Sequence, residues 1–234
     1  MRQITRLLYL LILLSGLLKA CEKTVQETPV EIPDKGFLDA LISSGVDTDK
    51  DGRISYEEAE STEALTIPPS GISDLTGLEA FINLDSFSIT LNPLAGINLS
   101  ANTSLRYLEC TSCELKVLDV SRNLLLEELV CGRNSLTELD VSQNQDLVKL
   151  VLNNNLIASL DLSANLGLRK MISCGNKLTR LDISRHTGLE LIGVDNMPML
   201  TQVCVWTLPF PSDGIVVLHE FSPNIVYTDQ CAGF

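Results

Sequence analysis

LRYLECTSCELKVLDVSRNLL (Leu105 to Leu125), LEELVCGRNSLTELDVSQNQD (Leu126 to Asp146), LVKLVLNNNLIASLDLSANLG (Leu147 to Gly167) and LRKMISCGNKLTRLDISRHTG (Leu168 to Gly188) lie in register, each directly following the last. Numbered from each first leucine they share L-x-x-L-x-[C/L]-x-x-N-x-L-x-x-L-D-[V/L/I]-S-x-N-x-x, a period of 21 residues. A repeat of this length is one coil of a solenoid, which buries its apolar face only against its neighbours. Strands are expected at positions 3 to 7 of each unit, stacked in parallel. Positions 4 and 6 then point inward, and 3, 5 and 7 point outward on a concave face.

Two polar columns run through the units. Asn92, Asn134, Asn155 and Asn176 share the ninth position, interrupted by Cys113. Buried in a tight bend, each amide can satisfy backbone groups of its own and the adjacent coil. The second column is Asp119, Asp140, Asp161 and Asp182, each followed two residues later by Ser and four later by Asn or, once, His186. Stacked carboxylates repel by roughly 0.8 kcal/mol per neighbouring pair in water. Capping of backbone N–H groups by the Asp, Ser and Asn side chains would offset that. Asp182, Ser184 and His186 have the composition of a catalytic triad, yet they occupy ordinary repeat slots. Alternating residues on one short segment also do not form a relay. No enzymatic activity is expected.

Binding information should lie where the units differ. Outward position 3 reads Ser86, Tyr107, Glu128, Lys149, Lys170, and position 5 reads Ser88, Glu109, Val130, Val151, Ile172. Val130, Val151 and Ile172 would form an apolar stripe flanked by Lys149 and Lys170. With Tyr107 these are the candidate ligand-binding residues, although β-branched side chains also simply suit strands.

The chain opens with Arg2, Arg6 and an apolar run from Leu7 to Leu18, without an acidic residue. This reads as a secretory signal peptide over residues 1–20, too short for a spanning helix. It ends in Leu18-Lys19-Ala20-Cys21, which resembles a bacterial lipobox with Cys21 as the lipidated residue. Removing three basic residues leaves 14 Lys and Arg against 30 Asp and Glu, a net −16. Such a charge repels a phosphate backbone, so nucleic acid is not an expected partner. Residues 21–33, polar and containing Pro29 and Pro33, read as a lipidated tether.

Residues 34–64 begin with a helical pattern, Phe37, Leu38, Leu41 and Ile42. It runs into Asp47-Thr48-Asp49-Lys50-Asp51-Gly52-Arg53-Ile54-Ser55-Tyr56-Glu57-Glu58. Against an EF-hand loop, Asp47, Asp49 and Asp51 supply carboxylates at positions 1, 3 and 5. The Arg53 carbonyl falls at 7, Ser55 at 9 and a bidentate Glu58 at 12, with Gly52 at the turn. Ca²⁺ is the expected cofactor. No second loop accompanies this one, so a structural role is expected.

Of the remaining cysteines, Cys110 and Cys131 hold the inward sixth position and read as small core residues. Cys174 sits one step off register, facing outward. Cys204 and Cys231 could pair. Beyond the repeats (65–202), residues 203–234 read as a C-terminal cap, with strands at Val203 to Val205, Ile215 to Val217 and Ile225 to Tyr227. Trp206 and Phe210 serve as cover or, less commonly, as an aromatic platform for sugar rings.

The repeats resemble the internalin family, in particular its subtype with 21-residue units, an inward cysteine and Leu-Asp-Val-Ser-x-Asn. The segment Ile72-Ser-Asp-Leu-Thr-Gly-Leu-Glu79 resembles an internalin-type unit, and the arrangement as a whole resembles a surface lipoprotein design of Bacteroidetes. The resemblance implies an α/β solenoid. That solenoid is a leucine-rich repeat with a parallel concave sheet, an N-terminal helical EF-hand-like cap and an irregular β C-terminal cap. It also implies protein recognition or adhesion. The expected protein is a monomer, anchored only by lipid at the outer membrane or cell surface, that binds a protein ligand; a glycan-binding accessory protein relying on Trp206, Tyr107 or Phe210 is the alternative.

Overall fold

In the computed structural model, residues 28–212 and 214–231 are described. The signal-peptide reading and Cys21 lie outside them. Asp34 starts helix α1 (Lys35–Ser43), its Oδ1 accepting from the Phe37 N–H at 3.1 Å. The same carboxylate's Oδ2 accepts from Ser73 and Asp74 N–H at 3.0 and 3.2 Å, so one side chain caps the helix and ties it to the first coil. Phe37, Ala40 and Leu41 form the buried face of α1. Helix α2 (Tyr56–Glu60) is short and held by a capping box between Ser55 and Glu58.

The chain then winds as a parallel solenoid. Its strands are β1 (Ala64–Ile67), β2 (Ser86–Ile89), β3 (Tyr107–Glu109), β4 (Glu128–Val130), β5 (Lys149–Val151), β6 (Lys170–Ile172), β7 (Arg180–Asp182), β8 (Leu191–Gly193), β9 (Gln202–Cys204), β10 (Val216–Leu218) and β11 (Val226–Thr228). Eight of them form one sheet in the order β1-β2-β3-β4-β5-β6-β8-β10, and β11-β9-β7 form a second. Tyr107 pairs with Glu128, Glu128 with Lys149 and Lys149 with Lys170, which is the 21-residue period written as hydrogen bonds. The strands cover positions 3 to 5 rather than 3 to 7. Beyond them the backbone bends, with positive φ at Ser112, Arg133 and Asn154.

What fills the coils agrees with the inward columns: Leu108, Leu129, Leu150 and Met171 at position 4, and Cys110, Cys131 and Leu152 at position 6, are all fully buried. Burial pushes the Cys131 thiol up to about 12 and that of Cys110 well above its usual value. Both thiols therefore behave as apolar filler.

The polar columns account for the backbone at the bends. Asn134 Nδ2 donates to Cys110 O of the preceding coil at 2.8 Å and to Cys131 O of its own at 3.0 Å. Its Oδ1 accepts from Cys113 and Leu115 N–H, each at 3.0 Å. Asn155 and Asn176 repeat these donor bonds one and two coils on. Where Cys113 replaces asparagine, its Sγ lies 3.2 Å from Ile89 O and 3.5 Å from Thr111 O, so the thiol takes over the amide's donor side.

The second column divides in a way the sequence did not reveal. Asp119, Asp140, Asp161 and Asp182 each accept from the serine N–H two residues on, at 2.8 to 2.9 Å. The Asn four residues later does not accept at the bend. It is buried and donates to the coil before it: Asn144 Nδ2 reaches Val120 O at 3.0 Å and Asn123 O at 2.8 Å, and Asn102, Asn123 and Asn165 do likewise. Their Oδ1 atoms have no hydrogen-bond partner among the described residues. His186 takes the same slot, its Nε2 lying 3.1 Å from Leu162 O.

The C-terminal segment carries strands at the three places expected, β9, β10 and β11, with irregular connections between them. The coil that runs from β8 to β10 lengthens to 25 residues, Leu191 pairing with Val216. β9 and β11 meanwhile join β7 in the second sheet, so the cap strands pair with those of the repeats. A disulfide joins Cys204 to Cys231 with the Cα atoms 5.7 Å apart. Trp206, Phe210 and Tyr227 pack on one another, ring centroids 5.4 and 5.0 Å apart.

Asn144→Ala removes two buried donor bonds and leaves Val120 O and Asn123 O with one backbone partner each, so a loss of roughly 1 to 3 kcal/mol in urea unfolding is expected. Asp140→Ala at the exposed bend should cost no more than about 1 kcal/mol in the same measurement.

Candidate functional site

Two groups of residues stand out, one at each side of the first coils. The first is the outward face of the eight-stranded sheet. Because the period is constant, the register places Val130 beside Val151 and Val151 beside Ile172, so the three form a half-buried stripe across β4, β5 and β6. Lys149 and Lys170 stand beside one another along one side of it.

The six sequence candidates thus share one face, but they are not equally available. Tyr107 Oη donates to Glu109 Oε2 at 3.0 Å, an oxygen that also accepts from Ser88 Oγ at 3.0 Å. Burial and this carboxylate push the Tyr107 hydroxyl up to about 12. Lys149 Nζ lies 2.9 Å from Glu128 Oε2 in the neighbouring strand. The polar groups of the N-terminal half are therefore occupied with one another, whereas Lys170 is exposed and has no ion pair among the described residues.

The face also extends further than the sequence reading reached. β8 and β10 continue the sheet, setting Leu191 beside Lys170, Val216 beside Leu191, and Leu218 beside Gly193. Val216 and Leu218 are 53% and 44% exposed. Residues read as cap strands thus lengthen the apolar stripe. The apolar run from Ile215 to Leu218 was legible as a strand, but the longer coil carries it out of the 21-residue register and so hides its place in the sheet.

The second group is the loop between the helices. Carboxylate oxygens of Asp47, Asp49 and Glu58 come within 4.8 Å of one another. Asp47 accepts from Asp51 and Gly52 N–H at 3.2 and 3.0 Å, and Gly52 adopts φ 81°, a conformation open to glycine. Asp51 turns to Arg53 N–H at 2.8 Å, and Ser55 Oγ is engaged with Glu58 as the cap of α2. Burial of Glu58 raises its pKa, but hydrogen bonds from Ser55 and Thr48 outweigh that and hold the carboxyl at about 2. Hard oxygen donors of this kind match the chemistry of Ca²⁺.

One contact there was not foreseen. Residues 28–33, read as tether, lie against the loop: Pro29 bridges Ser55 in antiparallel fashion, Val30 N–H donates to Ile54 O at 2.8 Å, and Val30 is buried. Gly77 accommodates this segment, since a Cβ there would come within 2.7 Å of Ile32 and 2.9 Å of Glu31 O.

The other constellation noted in the sequence does not assemble. Asp182 spends its carboxylate on Ser184 N–H, and His186 is buried with its ring on Leu162 O. Burial lowers the His186 pKa, so the ring is neutral and donates from Nε2.

No protein-family model matches the chain, and no curated protein matches it in sequence. Solved structures do match in shape. Internalin C2 from Listeria monocytogenes superposes with a TM-score of 0.65 at 14% identity, covering 89% of this chain and 100% of that one. A leucine-rich-repeat protein of Leptospira interrogans gives 0.51 at 16% identity over 64% of this chain and 50% of its own. The functional domain of InlJ from Listeria monocytogenes, described as including a cysteine ladder, gives 0.48 at 22% identity over 76% and 57%. The chain therefore spans little more than half the length of two of these three. Shape and repeat together define the class: a leucine-rich-repeat solenoid with a parallel concave sheet and few helices.

Weakening of the strand at residues 29–30 should be visible at the loop. Val30→Asp is expected to lower the unfolding temperature by several degrees, since it places a charge in the core. Thermal unfolding followed by circular dichroism checks this.

Proposed function

We propose that this protein is a recognition module that binds a protein ligand through the concave face of its repeats. The observation that carries the reading is the apolar stripe of Val130, Val151 and Ile172, continued by Leu191, Val216 and Leu218 and flanked by Lys170, which has no ion pair among the described residues. Folds of this class commonly act as protein-interaction surfaces. In the same reading the chain is exported and lipid-anchored through Cys21 at a bacterial surface, and it carries no catalytic function.

The loop holds a structural Ca²⁺, with Asp47, Asp49, Asp51, Ser55, Glu58 and the Arg53 carbonyl as ligands. The ion fixes the angle between α1 and α2 and the strand docked on Ile54. For it to bind, Glu58 must exchange some of its hydrogen bonds for the metal.

Three measurements test these points. Val151→Glu with Ile172→Glu should weaken partner capture at least tenfold, about 1.4 kcal/mol, with the melting curve unchanged. Undiminished capture, or retention on a glycan array that Trp206→Ala abolishes, would overturn the concave-face reading. Calorimetry with Ca²⁺ at about 100-fold its Kd should raise Tm by roughly 5 to 10 °C over chelator; superimposable curves would remove the calcium site. Cys21→Ala should move the protein from the membrane fraction to the soluble one.

A further inference from the structure

On the concave face the row that holds the apolar stripe begins with a carboxylate. Ser88 pairs with Glu109, Glu109 with Val130, Val130 with Val151 and Val151 with Ile172, so Glu109 stands directly beside the first valine. Its Oε2 accepts from Ser88 Oγ and from Tyr107 Oη, both at 3.0 Å. Two donors on one oxygen fix the carboxylate in place and leave Oε1 without a hydrogen-bond partner among the described residues. Both donors are neutral: burial and the carboxylate push the Tyr107 hydroxyl up to about 12, so it keeps its proton. Three polar groups that reach solvent gain little stability from one another, since water serves them nearly as well. What their arrangement does is hold an acceptor in one orientation before a ligand arrives.

The carboxylates around it are treated differently. Asp85 and Glu127 pair with Arg106, Glu128 with Lys149 and Glu190 with Arg169. Glu109, half-buried, has no ion pair among the described residues. At the far end of the stripe Lys170, two residues before Ile172 on β6, is exposed and has none either. The face thus offers an anion at one end of an apolar row and a cation at the other.

We propose that this face recognises a short extended segment of a protein in which a basic and an acidic residue stand four apart with an apolar residue midway. The Lys or Arg of the segment meets Glu109, its apolar side chain lies on Val130 and Val151, and its Asp or Glu meets Lys170. The spacing follows from the sheet. Three strand intervals separate β3 from β6, about 14 Å, which an extended segment at roughly 3.3 to 3.6 Å per residue covers in about four residues. Alternation then turns the first, third and fifth side chains to the same side. A basic group suits the molecule as well as the site, because the net charge of −13 draws cations toward it. A segment carrying two like charges would be repelled at one end or the other, so the pair of charges selects as well as binds. The inference rests on the concave-face reading and names the chemistry of its partner.

Selection of a displayed library of random linear peptides on the full chain in detergent micelles, read by sequencing, tests it. Enriched peptides should carry Lys or Arg and Asp or Glu four positions apart around an apolar residue. A synthetic peptide of that consensus should bind Glu109→Gln and Lys170→Gln each at least tenfold more weakly, about 1.4 kcal/mol, with melting curves unchanged. Selection on Glu109→Lys should replace the basic residue by a second acidic one. Peptides that Val151→Glu with Ile172→Glu no longer binds, but that both charge variants bind undiminished, would overturn this inference and leave the concave-face reading standing. Peptides that the Val151 and Ile172 replacements also leave bound would overturn both. An absence of enrichment, with or without retention of a neutral glycan on the same face, likewise overturns the proposal.

Discussion

The structure depends on how backbone polar groups are satisfied where each coil bends. A stack of coils buries the turns as well as the side chains, and a buried carbonyl or N–H without a partner costs on the order of 1 to 3 kcal/mol. Asn134, Asn155 and Asn176 answer this with one amide that bonds its own coil and the coil before it. The inner column of Asn102, Asn123, Asn144 and Asn165 does the same with its donors alone. Register follows: a coil one residue out of step would lose every one of these bonds.

That regularity frees the outward positions to vary. Asp85, Arg106 and Glu127 form a short ladder of ion pairs, and Arg169 pairs with Glu190, so charges across neighbouring coils neutralise one another. Exposed pairs of this kind contribute little to stability. They leave those charges paired with one another. What is left over is the stripe from Val130 to Leu218 and Lys170, the surface that the proposed recognition would use.

Much of this was legible in the chain. The period, the inward leucines and cysteines, the Asn and Asp columns and the side-by-side placement of Val130, Val151 and Ile172 all follow from a repeat of constant length. The gathering of carboxylates between Asp47 and Glu58 was legible because hydrogen bonding within one short segment is a local matter of spacing. The role of Asn144 was not, since asparagine at a bend and asparagine in a core read alike until the neighbouring coil is present. Nor was the fate of residues 28–33: a polar stretch with two prolines gives no periodicity, yet Val30 finds a place between Ile54 and Gly77.

By itself, then, the sequence determined the solenoid, because a 21-residue repeat can bury its leucines only against copies of itself. It also determined the identity of the outward columns, because strand alternation has a period of two. Only the tertiary structure decided which outward side chains are free, since Tyr107 and Lys149 are engaged by residues of adjoining strands. It likewise decided that β10 and β11 extend the two sheets. A lengthened coil breaks the sequence period, and backbone pairing, which carries no side-chain signature, takes over from it.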